Sequence, residues 1–176
     1  MTLDGVCDHT RGLPDDEIHQ HYQELLNDGD AILYGRRTYQ LMEFWPTILE
    51  HPSEKKSMND FAVAIDKIQK IVFSNTLKNV EWNSAKLAEK DLRTTVLELK
   101  QQSGNAVLVG SRSLIIQLLQ LNLIDELQLC IHPIIEGKGL SLFENITDSI
   151  PLNLNKTKVF KAGHIILYYE PTTRLE

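Results

Sequence analysis

The sequence has little cysteine, no long apolar run and no excess of positive charge. Only Cys7 and Cys130 occur among 176 residues, which favours free thiols in a reducing compartment over a disulfide framework. No apolar run approaches the roughly 18 residues of a membrane span, and the first residues do not resemble a signal peptide. The net charge of -6 argues against general binding to nucleic acids or anionic membranes. We therefore expect a cytoplasmic protein in which any anion site is local.

Three sequence motifs of nucleotide and metal chemistry are also missing. Neither G-x-G-x-x-G nor G-x-x-x-x-G-K-[ST] occurs, so the dinucleotide fingerprint and the P-loop are excluded. The H-x-E and P-C-x-x-C signature of zinc deaminases is absent as well. What is present is an ordinary globular composition, with 42% hydrophobic and 24% charged residues, at a length typical of one domain.

The apolar pattern alternates between helical spacing and strand-like runs. Helical spacing predicts helices at residues 14–29, 36–45, 58–68, 91–104 and 111–122. Pro46 is expected to end the second helix, and residues 47–57 to form a polar loop. Strand-like runs occur at residues 31–34, 70–74, 85–88, 106–110, 125–135, 152–160 and 164–170. Helices between the early strands and a closing hairpin imply an α/β fold with a mostly parallel sheet and an antiparallel edge.

Two strand-to-helix junctions carry a glycine followed by polar and cationic residues. The first is Gly35, Arg36, Arg37 and Thr38, and the second is Gly110, Ser111, Arg112 and Ser113. In parallel sheets, ligands bind at the carboxyl ends of strands, where glycine permits close approach and helix N-termini favour anions. Arginine adds bidentate binding to phosphate. The two junctions together indicate a ligand with more than one phosphate. Taken singly, each glycine could be a tight turn and each arginine solvated surface.

Seven short motifs occur in the order and with the spacing of a known superfamily. They are "TLDG", "LPDD", "DAILYGRRTY", "KIVFSNT", "VLVGSRSL", "LIDELQLCIHPIIEGKGLSLF" and the closing hairpin. Together they resemble the dihydrofolate reductase-like superfamily, and most closely its branch around the C-terminal reductase domain of the riboflavin-biosynthesis deaminase-reductase. The resemblance implies one domain over residues 1–176 with a three-layer fold: a mostly parallel central sheet, an antiparallel C-terminal hairpin and helices on both faces.

The resemblance also implies NADP as the cofactor. In this superfamily a Gly-Arg-x-Thr helix start holds phosphates of NADPH, here Gly35, Arg36, Arg37 and Thr38. The next strand ends where the adenosine ribose and its 2′-phosphate bind, here Ser74, Asn75 and Thr76. The turn that cradles the pyrophosphate corresponds to Gly110, Ser111, Arg112 and Ser113. Dihydrofolate reductases usually have Gly-Gly where this chain has Gly110-Ser111; a serine makes an unusual backbone geometry less comfortable there, although the riboflavin-type branch often tolerates residues other than glycine. The arginines fit NADP rather than NAD, because a 2′-phosphate requires cationic partners.

The implied substrate site departs from that of true folate enzymes. Asp16 corresponds to the pterin-binding carboxylate, and in an apolar cleft it would have a raised pKa and assist protonation. Alternatively, Asp15 and Asp16 only favour the helix N-terminus electrostatically. Cys130 stands where folate enzymes have the threonine that partners the acid, and Ile68 where they have the arginine that binds the folate tail. We therefore expect poor folate binding. Met42 is a candidate for the apolar wall of the substrate site, or else part of the core.

The chain begins directly on the "TLDG" stretch, whereas relatives have a strand before it. The resemblance places Leu3 and Asp4 beside the nicotinamide and the substrate. We therefore expect a domain that lacks the usual first strand. Either the natural start lies upstream, or the open edge accepts a strand from another chain, or the protein is destabilised and inactive.

The activity implied by the resemblance is NADPH-dependent hydride transfer to a small heterocyclic or carbonyl substrate, such as a pyrimidine or a pterin. The enzyme would resemble 5-amino-6-(5-phosphoribosylamino)uracil reductase or dihydrofolate reductase, and would be a cytoplasmic homodimer with a small-molecule substrate and neither nucleic-acid nor membrane partners. The alternative is a non-catalytic protein that keeps the fold to bind a nucleotide or a partner.

A rival of another kind is a metal site built from two C-x-H motifs. Cys7 with His9 and Cys130 with His132 could together supply a Cys2His2 ligand set. On a strand, Cys130 and His132 would point to the same face. The usual C-x2-C spacing is absent, so we predict no metal.

Overall fold

The computed structural model describes residues 1–8, 12 and 14–172. The chain divides into two compact units. One is formed by the described residues of Met1–Asp15 and Ile116–Glu176, and the other by Asp16–Ile115. Among the described residues, the unit of residues 16–115 contains a four-stranded β-sheet, and the other unit contains a three-stranded β-sheet.

The unit of residues 16–115 alternates helices with parallel strands. Its elements are α1 (Asp16–Asp28), β1 (Gly29–Gly35), α2 (Arg36–Met42), α3 (Trp45–Glu50), α4 (Lys56–Lys67), β2 (Gln69–Phe73), β3 (Ala85–Leu87), α5 (Leu92–Lys100) and β4 (Ala106–Val109). The strands lie in the order β3-β2-β1-β4, and all of them pair in parallel. The helix α6 (Arg112–Gln120) follows β4, and the division between the units falls within it.

One face of the parallel sheet carries the hydrophobic core of this unit. Tyr34 of β1 and Val72 of β2 are partners in register. Ile32 lies on the same face as Tyr34, because side chains two apart on a strand point the same way. These residues form one buried cluster with Leu26 of α1 and Ile65 of α4. Burial of this face therefore holds α1 and α4 against the sheet.

The opposite face of the sheet is covered by α5. Ile71 points to that face, and it lines a cavity of about 210 Å³ together with Thr95 and Leu99 of α5. The helix starts where the sequence predicts, since the Asp91 carboxylate accepts a hydrogen bond from the Thr94 amide at 3.0 Å. Helices thus lie on both faces of the parallel sheet.

The other unit contains a small antiparallel sheet. Its strands are β5 (Leu127–Ile131), β6 (Leu152–Val159) and β7 (Ile165–Pro171), in the order β5-β7-β6. Residues near the start of the chain join this unit through single bridges, in which Thr2 pairs with His132 and Val6 pairs with Ser141. The predicted α/β class, with a parallel sheet and an antiparallel C-terminal hairpin, is confirmed. The hairpin pairs with β5 in a sheet separate from the parallel one.

Two local predictions are wrong, and proline is involved in both. Pro46 does not end a helix; α2 ends at Met42, and Pro46 lies in the first turn of α3. An amide in the first turn needs no partner within the helix, so proline is well suited to that position. Residues 47–50 are therefore helical rather than part of a loop. The long strand predicted over residues 125–135 is only Leu127–Ile131, and Pro133 follows its end.

A fully buried lysine lies beside the core of the parallel sheet. Lys70 of β2 has no exposed surface. Its Nζ donates to the carbonyl oxygens of Asp66 at 3.2 Å and Ile68 at 2.9 Å, and to Ser84 Oγ at 2.7 Å. It also lies 3.9 Å from the centroid of the Trp82 ring. Removal from water lowers the pKa of Lys70 to about 8, against an opposing effect of the Asp66 carboxylate. The ammonium group therefore donates hydrogen bonds to carbonyl oxygens at the end of α4, which would otherwise lack a partner within the helix.

We expect Lys70 to make the stability of the protein depend on alkaline pH. The Lys70 pKa is about 8 in the folded chain, whereas an unperturbed lysine has a pKa of 10.5, so folding releases a proton between these values. The wild type should therefore gain stability as the pH rises above 8, by at most about 1.4 kcal/mol per pH unit. Urea unfolding between pH 8 and pH 9.5 measures this gain. Lys70→Met and Lys70→Arg should lack it, and a profile parallel to that of the wild type would contradict the assignment.

Candidate functional site

The order of the parallel strands reverses beside β1. From β1 the chain continues to β2 and then β3 on one side, and it returns to place β4 on the other side of β1. At such a reversal the connections leave on opposite sides, and a crevice opens outside the carboxyl ends of the two strands. Here those ends are Gly35 of β1 and Val109 of β4. This is the location at which ligands of open α/β sheets bind.

The two predicted glycine junctions meet at this crevice. The Gly35 amide donates a hydrogen bond of 2.8 Å to Ser111 Oγ, across 76 residues of sequence. The Gly110 amide donates to the Leu33 carbonyl at 3.2 Å. Ser113 is also close, since a Cβ added at Gly35 would lie 3.4 Å from Ser113 Oγ. The structure therefore brings together the two segments that the sequence separates widely.

The end of β2 lies next to the first junction. Gly35 and Phe73 are partners in register, so the residues that follow them leave the sheet side by side. The Ser74 hydroxyl accepts hydrogen bonds from the Thr76 amide at 3.1 Å and the Leu77 amide at 2.9 Å. Asn75 and Thr76 are exposed. All three predicted cofactor segments consequently lie along one edge of one sheet.

Three arginines lie at this edge. Arg36 and Arg37 are the first two residues of α2, and both are exposed. Arg36 Nη1 donates to Gln40 Oε1 one turn later, at 3.2 Å. Arg112, half-buried, is the first residue of α6. The N-cap of α2 is Gly35, which has no side chain that could cap the helix. The arginines thus supply charge in a protein whose overall charge is -6.

Gly110 is required by its packing against Tyr34. A Cβ at this position would lie only 2.6 Å from Cε1 of Tyr34, which is buried. Ser111 is tolerated at the next position, because positive φ among the described non-glycine residues is confined to Asn122 and Asn145. The sequence does not reveal the contact with Tyr34, since it joins two strands that are paired only in the folded chain.

We expect Gly110→Ala to lower the free energy of unfolding by roughly 1–3 kcal/mol, the usual cost of overpacking a core. The added methyl group must displace the Tyr34 ring. Gly35→Ala is the matched control at the other junction and should cost less, because its Cβ meets Ser113 Oγ at an ordinary 3.4 Å. Chemical denaturation of both variants, alone and in a Tyr34→Leu background, measures the effect. An equal cost of Gly110→Ala in the presence and absence of the Tyr34 ring would disprove the clash.

Two predicted substrate residues belong to the same unit as these junctions. Met42 packs against the hydrophobic core cluster, as its alternative interpretation predicts. Asp16 is exposed at the start of α1, and its Oδ1 accepts a hydrogen bond from Ser57 Oγ at 2.6 Å. The expected apolar surroundings of Asp16 are therefore wrong. Its catalytic role, and that of Met42 at the substrate, stay predictions.

Leu3 and Asp4, also predicted near the substrate, belong to the other unit. Leu3 is exposed. The Asp4 carboxylate accepts hydrogen bonds from Thr2 Oγ1 at 2.5 Å, from the Gly137 amide at 2.7 Å and from the Glu136 amide at 3.2 Å. The Thr2 hydroxyl, followed by the Gly137 amide, lowers the pKa of Asp4 to about 2. Within its unit, Asp4 therefore connects the start of the chain by hydrogen bonds to the turn at residues 136–137.

Cys130 is buried in β5, in a group of polar side chains that the sequence only partly predicts. Its Sγ lies 4.0 Å from His132 Nε2, and the His132 and His164 rings meet edge to face with centroids 4.8 Å apart. His164 Nδ1 lies 3.7 Å from Asp15 Oδ2. Burial lowers the pKa of His132 to about 4. Sequence reasoning missed His164 and Asp15, because their proximity depends on tertiary structure.

His9, a member of the alternative metal site, lies outside the described residues. Within residues 1–8, 12 and 14–172, no group of three or more histidine, cysteine or acidic side chains is placed to hold a metal ion. In the same part of the chain, no helix combines the length and apolar character needed to cross a membrane.

The fold and the site define an α/β protein in which two glycine junctions meet where the order of the parallel strands reverses. A family model for the RibD C-terminal domain matches residues 1–168, and the chain belongs to this family. The branch of the dihydrofolate reductase-like superfamily predicted from the motifs is therefore confirmed.

The chain is also similar to individual proteins in sequence or in fold. The uncharacterized protein YyaP of Bacillus subtilis (strain 168) is 30% identical over 173 residues, which is 96% of this chain and 90% of that protein. A putative riboflavin biosynthesis protein from Shewanella sp. PV-4 has a similar structure, with a TM-score of 0.69 and 19% identity over 98% of this chain and 96% of its own. The Thermotoga maritima diaminohydroxyphosphoribosylaminopyrimidine deaminase/5-amino-6-(5-phosphoribosylamino)uracil reductase gives a TM-score of 0.63 at 19% identity. That match covers 97% of this chain but 54% of the Thermotoga chain.

Proposed function

We propose that this protein is an NADPH-dependent reductase that transfers a hydride to a small heterocyclic or carbonyl substrate, such as a pyrimidine or a pterin-like compound. The observation that carries the proposal is the hydrogen bond of 2.8 Å between Gly35 and Ser111, which joins two glycine junctions at the reversal of a parallel sheet. Membership of the RibD C-terminal domain family supports a reductase. As an extension of the family resemblance, we propose that the enzyme is a cytoplasmic homodimer.

The residues at the crevice suit a dinucleotide with three phosphate groups. Gly110, Ser111, Arg112 and Ser113 would hold the pyrophosphate at the turn after β4. Arg36, Arg37 and Thr38 would bind phosphate at the turn after β1, while Ser74, Asn75 and Thr76 would bind the adenosine ribose and its 2′-phosphate at the neighbouring strand end. Arginine suits this task because its guanidinium group stays charged and binds phosphate in a bidentate manner.

The protein itself has a modest chemical task in such a reaction. Bound NADPH supplies the hydride. The chain's own residues must hold the donor in a fixed orientation toward the acceptor carbon and keep water away. Side chains that are rigidly placed by a sheet perform this better than side chains on mobile loops. The crevice meets that requirement because its three segments begin at the paired ends of β1, β2 and β4.

We expect the double substitution Arg36→Ala and Arg37→Ala to weaken NADPH binding at least tenfold and NADH binding much less. Charge-assisted hydrogen bonds contribute about 1.5–3 kcal/mol each, and 1.4 kcal/mol corresponds to a factor of ten. Titration followed by tryptophan fluorescence of Trp45 and Trp82 measures both affinities.

The matched control is Arg93→Ala with Lys100→Ala, which removes two positive charges from α5 in the same unit. It should leave the ratio of the two affinities unchanged. Equal losses for NADPH and NADH in the Arg36 and Arg37 variant would show that these arginines do not read the 2′-phosphate. Failure of the wild type to bind either nucleotide would overturn the proposed function.

We expect folate and dihydrofolate to bind poorly. Ile68, which stands where folate enzymes have the arginine for the folate tail, is 6% exposed and belongs to the core cluster. A buried aliphatic side chain offers no partner for a carboxylate. Titration with folate, using the sample that binds NADPH, tests this expectation. A micromolar dissociation constant would contradict it.

The alternative is a non-catalytic protein that binds a nucleotide. The exposure of Asp16 favours it, because the catalytic role predicted for Asp16 assumed apolar surroundings. Oxidation of NADPH in the presence of pyrimidine, pterin and carbonyl acceptors separates the two functions. Saturable NADPH binding with no turnover of any acceptor would support the binding protein, whereas turnover of one acceptor would support the reductase.

A further inference from the structure

The side chain of Ser111 occupies an unusual place in the parallel sheet. The backbone pairing between β1 and β4 ends at Leu33 and Val109, with one further bond from the Gly110 amide to the Leu33 carbonyl. The next amide of β1 that faces this strand belongs to Gly35. It donates to the hydroxyl of Ser111 instead of to a backbone carbonyl. A side chain therefore replaces a backbone partner at the point where β4 turns away.

This hydrogen bond is protected from solvent. Ser111 is 1% exposed, and Gly35 is buried. Gly35 is the N-cap of α2, with extended backbone angles, so its amide takes no part in the hydrogen bonds of that helix. The bond consequently serves only to connect the turn after β1 to the turn after β4.

We propose that Ser111 is a positioning residue of the nucleotide site, and this inference rests on the proposed function. Its hydroxyl fixes the turn that carries Arg36 and Arg37 relative to the turn that starts at Gly110. It also occupies the Gly35 amide, so that this amide does not bind a phosphate. The phosphates are then bound by Arg36, Arg37 and Thr38 in one turn, and by Arg112, Ser113 and the backbone of Ser111 in the other.

A link of this kind matters most for a ligand that spans both turns. NADPH would contact the turn after β1 and the turn after β4 together, so its affinity depends on their separation. Adenosine 2′-monophosphate lacks the pyrophosphate and would use only the segments at the ends of β1 and β2. Loss of the link should therefore weaken NADPH and leave the smaller ligand almost unaffected, because simultaneous binding requires matched geometry.

The test compares Ser111→Ala with Ser111→Thr, which retains the hydroxyl. Ser111→Ala should bind NADPH about tenfold more weakly than the wild type, and adenosine 2′-monophosphate less than twofold more weakly. Ser111→Thr should restore most of the NADPH affinity. Ser103→Ala, on an exposed loop of the same unit, is the control for a serine substitution as such. All titrations are made well below the melting temperature of each variant.

A second measurement reports the link without any ligand. Hydrogen exchange by NMR should show a protected Gly35 amide in the wild type and in Ser111→Thr, and faster exchange in Ser111→Ala. Unchanged NADPH affinity in Ser111→Ala would overturn the inference while leaving the proposed function intact, as would an equal loss for both ligands. A wild type that does not bind NADPH would overturn the proposed function and this inference with it.

Discussion

The pairing of β1 with a parallel strand on each side is the constraint on which the unit of residues 16–115 depends. Register with β2 aligns Gly35 with Phe73, and register with β4 aligns Leu33 with Val109. Because parallel strands all end at the same edge, these two registers place three separate polar segments beside one another. The core cluster on one face and α5 on the other keep the strands in this register. A slip by one residue would move Tyr34 out of the core cluster and onto the opposite face of the sheet.

Several parts of this arrangement could be predicted from the sequence, and the reasons are local. The start of α5 follows from the capping geometry of Asp91, which involves residues within one turn. The junction at Gly35 follows from an apolar run that ends in glycine before a helical pattern. Pro46 is predicted to end a helix, but proline also begins helices, and here it lies in the first turn of α3. The short break after Met42 decides between these two roles, and no local pattern marks it.

The remaining features depend on contacts between distant residues. The sequence predicts that Gly110 lies at a ligand site, and the structure adds that its missing side chain makes room for Tyr34, 76 positions earlier. Asp16 suggests a buried acid, but it lies exposed and hydrogen-bonded to Ser57. The group of Cys130, His132 and His164 is likewise formed only when β5 and β7 pair. Burial of a titratable group is a property of the fold, and it cannot be read from its neighbours in the sequence.

Ser111 stands where dihydrofolate reductases usually have a second glycine, and its side chain has a physical role in this chain. Two consecutive glycines are useful where the backbone needs angles that other residues avoid. Positive φ among the described non-glycine residues does not include Ser111, so this chain does not need glycine there. A serine can then contribute a hydroxyl, which accepts the Gly35 amide at 2.8 Å and leaves no buried donor without a partner at that point. The substitution exchanges backbone freedom for a fixed connection between two turns. A site that must hold a long, flexible cofactor benefits from such a connection, because its binding residues are then placed before the ligand arrives.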